Sequence, residues 1–107
     1  MSFMPNAANL SIDPPKLIYL LQINLGKAKF FALFGFHPNR PYELDVALRQ
    51  HPVRNRYYNV THTVHGTKYE IRCSMPTPDG RNPCVKTIWM IDAGHQVPRF
   101  VTGYAGP

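Results

Sequence analysis

What this 107-residue sequence has least of is negative charge: 6 Asp and Glu stand against 12 Lys and Arg, leaving a formal charge of +6 with histidines neutral and a pI near 9.6. That deficit favours an anionic partner, and phosphate backbones are the commonest one. Long apolar runs are also missing, and nothing approaches the roughly 20 residues a membrane helix needs. The first ten residues lack the basic and apolar regions of a signal peptide, so the expectation is a cytoplasmic protein with no membrane contact. There are only two cysteines, Cys73 and Cys84, expected as reduced thiols on neighbouring strands. Without a matching pair of histidines they make no structural zinc site. None of the five histidines forms an H-x-x-x-H pair, and there is no Gly-rich phosphate loop, nucleophile elbow or CxxC pair. Neither a metal nor a cofactor is therefore expected.

What is present is globular: 44% hydrophobic and 12% aromatic residues, enough for one modest core in one domain over 1–107. Residues 1–12 read as a loose N-terminal arm. Asp13-Pro14-Pro15 then starts a helix, with Asp capping the free amides and proline tolerated in the first turn. Leu17, Ile18, Leu21 and Leu25 carry it to about Asn24. A second helix spans about Lys27 to Phe34, stopped by Gly35, and a third runs from Asn39-Arg40-Pro41 to about Gln50, ended by Pro52. The helical part thus covers 13–51.

From Tyr57 to Tyr104 the period falls to two. Strands are expected over Tyr58–Val64, Lys68–Met75, Cys84–Ile91 and Arg99–Tyr104, with turns at His65-Gly66, Asp79-Gly80 and Ala93-Gly94-His95. Helices followed by hairpin-linked strands make an α+β fold, N-terminal helices packed on one face of a four-stranded antiparallel meander. A two-residue loop at His65-Gly66 sets Val64 opposite Thr67, His62 opposite Tyr69 and Val60 opposite Ile71. That inner face also takes Cys73 and Met75, and His62 is expected there as a satisfied core residue. The other face shows Lys68, Glu70 and Arg72 with Asn59, Thr61 and Thr63. In the third strand, Val85-Thr87-Trp89-Ile91 and Cys84-Lys86-Ile88-Met90 are both fairly apolar, so its buried side stays open.

RNA cleavage without a metal needs a base for the 2′-hydroxyl, an acid for the leaving 5′-oxygen and cations for the phosphorane. Glu70 is a candidate base, His65 a candidate acid, and Lys68, Arg72 and Arg99 candidate cations. The plain alternative is that Glu70 and Arg72 are solvated charges on an exposed sheet. His51, before Pro52, reads as a helix-end residue near the negative end of the dipole. Basic residues are spread along the chain and interleaved with Tyr57, Tyr58, Tyr69, Trp89 and Tyr104, a pattern suited to a groove gathered by folding.

Leu25-Gly26-Lys27-Ala28-Lys29-Phe30-Phe31 with Gly35-Phe36, then His65-Gly66-Thr67-Lys68-Tyr69, Asp79-Gly80-Arg81, Lys86-Thr87-Ile88-Trp89 and Pro98-Arg99-Phe100-Val101-Thr102-Gly103-Tyr104 resemble a bacterial family of small domains of unknown function. Its members look like stand-alone proteins or the C-terminal domains of polymorphic toxins. The order of elements is also similar to the barnase, EndoU, colicin and RelE group of toxin ribonucleases, a likeness of fold alone. The resemblance implies catalytic roles for Lys68, Thr87, Arg99 and Thr102, RNA contacts for Lys27 and Arg81 beside Arg72, and a cognate antitoxin or immunity-type partner. His65 and Glu70 enter on the geometry of the hairpin instead. The expected function is a metal-independent ribonuclease toxin, with a non-catalytic basic module for nucleic acid or a partner protein as the alternative.

Overall fold

The computed structural model describes residues 2–22 and 26–106, with the side chains of 26–28 outside that description. Three helices, α1 (Pro14–Leu21), α2 (Gly26–Leu33) and α3 (Pro41–Arg54), precede four strands, β1 (Tyr57–Thr63), β2 (Gly66–Ser74), β3 (Cys84–Asp92) and β4 (Arg99–Ala105). The strands form one antiparallel sheet in the order β1-β2-β3-β4. This is the α+β meander that the change of period implies. α1 stops at Leu21, where Gln22 turns extended as its C-cap, short of the expected end near Asn24; residues 23–25 lie outside the described ones.

The helices lie on one face, α3 against β2 and β3 and α2 against β4. α3 turns Leu44, Ala47, Leu48 and His51 inward, the one-sided spacing of a helix that covers a sheet. It runs through Pro52 to Arg54 rather than stopping there. Proline costs a helix one amide bond, and here the residue is fully buried in the helix–sheet contact. Trp89 is the centre of the core, completely buried and edge-on to Phe100 at 5.3 Å. Its neighbours Val85 and Thr87 point the same way, which settles the open question about β3: Lys86, Ile88 and Met90 face outward, half-buried.

Two expectations about the first hairpin are corrected. The loop is Val64-His65, one residue earlier than expected, and Gly66 opens β2. Thr63 pairs Gly66, Thr61 pairs Lys68 and Val60 pairs Tyr69, so every partner moves by two. A shift of two leaves each side chain on its expected face. Gly66 is needed because it has φ +145 and a Cβ there would lie 2.3 Å from the Ile91 carbonyl oxygen. His62, second, is exposed, its Nδ1 3.3 Å from the Thr67 hydroxyl on the rim of edge strand β1. Cys73 is likewise exposed although its alternation points inward, and both thiols are free.

The N-terminal arm is packed, not loose. Met4, Leu10 and Ile12 are buried, Ser11 bridges Arg99 in parallel, and Arg49 donates to the Leu10 carbonyl at 2.7 Å. Three apolar residues in that arm supply area worth burying.

Two bulges then decide what shares a face. Tyr57 pairs Ile71 and Asn59 pairs Glu70, leaving Tyr58 as an extra residue. Ile88 pairs Thr102 while Trp89 pairs Phe100, leaving Val101 extra. Each bulge advances the alternation by one.

Candidate functional site

The face of the sheet away from the helices is a grid of cross-strand rows. Asn59, Glu70, Ile88 and Thr102 form the central row; Thr61, Lys68, Met90 and Arg99 form the row nearer the first hairpin turn. Arg72, Lys86 and Tyr104 form the third, extended by Tyr58 from its bulge. Directly opposed residues on one face sit about 5 Å apart, so these rows hold their groups within reach of one another.

Lys86 is the hub. Its ammonium lies 5.3 Å from the centre of the Tyr58 ring and 5.4 Å from that of Tyr104. Hydrogen bonds to those two phenols, and then to Glu70, raise its pKa well above the ordinary lysine value and keep it charged. It also meets the Glu70 carboxylate at 3.3 Å, diagonally across the strands. Arg72 stacks on the same Tyr58 ring, its guanidinium carbon 4.4 Å from the centroid. Cation–aromatic stacking of this kind holds flat, partly dehydrated cations ready for an incoming anion.

Glu70 is drawn both ways. Partial burial pushes its pKa up, but hydrogen bonds from Asn59 and Lys86, with the charges of Lys86 and Lys68, outweigh that and hold it below the usual carboxylate range. It is an ionised acceptor at neutral pH. His65 does not join it. The histidine is exposed at the turn tip, five residues along β2, or about 16 Å of extended strand. A base and an acid serving one phosphate cannot be so far apart.

Lys68 and Arg99 flank Met90 on either side, so two strand spacings, about 10 Å, separate their backbones. Arg99 is held by Asp92 through two bonds of 2.7 and 3.1 Å, a contact that raises the pKa of the arginine and lowers that of the aspartate. Thr102 lies beside Ile88 at the edge of the same face.

Thr87 and Arg81 are elsewhere. Thr87 is completely buried under the helices: its hydroxyl lies 2.8 Å from His51 Nδ1 and accepts from Trp89 Nε1 at 2.9 Å. Its catalytic role is thereby withdrawn, because a substrate phosphate has no path to a closed core hydroxyl. His51 is buried too, its Nε2 2.9 Å from the Cys73 carbonyl, and burial lowers its pKa in spite of its place near a helix end. Arg81 pairs Asp79 at 2.6 Å, stacks on Phe34 at 4.4 Å and donates to the Leu33 carbonyl. It ties the 75–83 loop to the end of α2 and does not reach the open face. Lys27 has its side chain outside the described residues.

Sequence reasoning missed Lys86, Tyr58 and Tyr104 as one cluster. The signal was available for Lys86 and Tyr104, which sit on strands at polar positions, but Tyr58 reaches them only through its bulge. The Cys84 thiol is pushed up to about 11, by burial first and then by the Cys73 thiol, so it offers no thiolate near neutral pH. Among the described residues no group of three or more His, Cys, Asp or Glu is placed to hold a metal ion, and no helix is long and apolar enough to cross a membrane.

No curated protein and no solved structure matches the chain. A family described as a domain of unknown function, DUF6883, matches residues 3–107, practically the whole length, and the chain belongs to that family.

Proposed function

We propose that this protein acts on RNA at the open face of its sheet, as a metal-independent ribonuclease of the bacterial toxin type. The observation that carries the reading is the ionised Glu70 held against the fixed ammonium of Lys86, with Tyr58, Arg72 and Lys68 around it on one helix-free face. Cations set among aromatic rings suit a phosphate backbone and unstacked bases. Glu70 takes the 2′-hydroxyl proton, the 2′-oxygen closes on phosphorus, and Lys86, Arg72 and Lys68 stabilise the negative charge that builds there. The departing 5′-oxygen takes a proton from water or from the phenols beside Lys86. A carboxylate with a lowered pKa is a weaker base, so the cations carry most of the acceleration. In the toxin setting that the family resemblance implies, a cognate antitoxin or immunity-type protein restrains the enzyme in the cytoplasm.

The test is cleavage of RNA by purified protein in EDTA. Glu70→Gln is expected to lower the rate about 100-fold or more, the usual worth of a general base, and Lys86→Met to lower it further. RNA that stays intact under an excess of folded protein would sink the reading. One observation favours a second reading, binding without cutting: Glu70 is already engaged by both Asn59 and Lys86, with His65 distant. Salt-sensitive RNA binding by a protein that never cleaves is its signature.

A further inference from the structure

α1 begins in an unusual way. An N-cap aspartate ordinarily accepts from the amide of the second or third helical residue. Here Pro14 and Pro15 occupy the first two positions, and the Lys16 amide donates to the Asp13 main-chain carbonyl at 2.9 Å. Asp13 makes no side-chain cap bond. Its carboxylate, which the sequence suggested for capping, is exposed and has no hydrogen-bond or ion-pair partner among the described residues.

That carboxylate stands on the wall of a groove between α1 and β4. The groove has two adjoining lobes of about 340 and 330 Å³ that share Asp13, Lys16 and Phe100 as walls. The first lobe is largely apolar, built from Pro15, Tyr19, Leu20, Phe100 and Val101, with Thr102 at its edge. The second adds Ser11 and Arg99. Each lobe is within the size range of small-ligand sites. Tyr19 is half exposed, presenting a ring without burying it in the core. Lys16 uses one ammonium donor on the Val101 carbonyl at 3.1 Å, and Arg99 uses two of its five N–H groups on Asp92. Both cations keep donors for a further anion.

Arg99 and Thr102 belong to this groove and to the open sheet face alike, because the Val101 bulge puts both on that face. A strand of RNA crossing the sheet therefore runs off β4 directly into the groove. Of the four RNA bases only guanine offers two adjacent N–H donors on its pairing edge, the match for the two oxygens of a carboxylate.

We propose that the α1–β4 groove is a guanine-nucleotide subsite, with the base stacked at Tyr19 in the apolar lobe, its pairing edge on Asp13, and its phosphate toward Lys16 and Arg99. The subsite deepens the ribonuclease reading and rests on it for the RNA strand, but not for nucleotide binding itself.

The experiment is an NMR titration of the full-length protein with guanosine 5′-monophosphate, adenosine 5′-monophosphate and inorganic phosphate. The guanosine nucleotide is expected to shift the amides of Asp13, of 16–20 and of 99–102, and to bind about tenfold more tightly than the adenosine one, the discrimination of one bidentate pair. Asp13→Asn should erase that ratio, and Tyr19→Ala should weaken both nucleotides alike; both residues are exposed, so the fold is retained. Equal binding of the two nucleotides, an unchanged preference in Asp13→Asn, shifts confined to other regions, or the same shifts from phosphate alone would each overturn the subsite. RNA left uncut by wild-type protein that still selects the guanosine nucleotide removes the ribonuclease reading and keeps the groove. RNA cut with no groove shifts does the reverse.

Discussion

The two faces of the sheet use polar side chains in opposite ways. On the inner face, Trp89 Nε1 donates to Thr87 Oγ1, which meets His51 Nδ1, and His51 Nε2 reaches the Cys73 carbonyl. The roles follow from the ends: an indole N–H only donates and a carbonyl only accepts, so a neutral histidine protonated on Nε2 completes the chain. Every group is satisfied and none is left for a ligand. On the outer face, Lys86 is shared among Glu70, Tyr58 and Tyr104 in partial exposure, and Arg72 stacks on Tyr58 with no carboxylate partner among the described residues. The same residue types thus close a core on one side and present charge on the other. What separates them is access to water, since a buried polar group must be paired within the protein.

The comparison is broken most severely at its centre. Trp89→Ala should cost about 3–5 kcal/mol, the usual loss for emptying a large aromatic site, measured by chemical denaturation. Thr87→Val keeps the shape but strands the indole N–H and the histidine, at about 1–3 kcal/mol; Thr87→Ser, which restores a hydroxyl, should recover part of that. A denaturation midpoint unchanged in Thr87→Val would show that the inner chain is not a stabilising network.

Acid should act on the inner face first. Burial lowers the folded pKa of His51 below its ordinary value of 6.5, so the unfolded chain binds the proton more readily. The contribution is fully present above pH 6.5 and is lost as pH falls below it, toward the lower folded value. The outer carboxylate Glu70 has a lowered pKa as well, but its contribution is lost only as pH drops below about 4.5. A wild-type melting temperature that declines between pH 7 and 5, and declines less in His51→Gln, is the expected result; parallel curves would reassign the acid response.

Smallest for stability is Lys86→Met, under about 1 kcal/mol as for other ion pairs at a surface, while RNA cleavage or binding falls steeply. If stability and RNA activity dropped together, the outer cluster would be structural like the inner one.

Much of this was legible from residue order. The pitch of α3, the strands around Lys68–Cys73, and the outward set Lys68, Glu70 and Arg72 follow from periodicity, which survives a register error of two. Other features do not project from a linear pattern. Arg99 and Thr102 are three apart, so plain alternation places them on opposite faces; the Val101 bulge brings them onto one. Tyr58 reaches Arg72 and Lys86 through the bulge in β1. His62 and His51 exchanged their expected surroundings because one sits on an edge strand and the other under the sheet.

By itself the sequence determined an α+β meander with a basic surplus, since local period and charge balance depend only on the order of residues. The side of β3 that is buried, the closed pairing of Thr87 with His51, and the meeting of Lys86 with Glu70 and two tyrosines were decided by the tertiary structure. Those depend on strand register, on two one-residue bulges and on where the helices shut out water, and each is a contact between segments far apart in the chain.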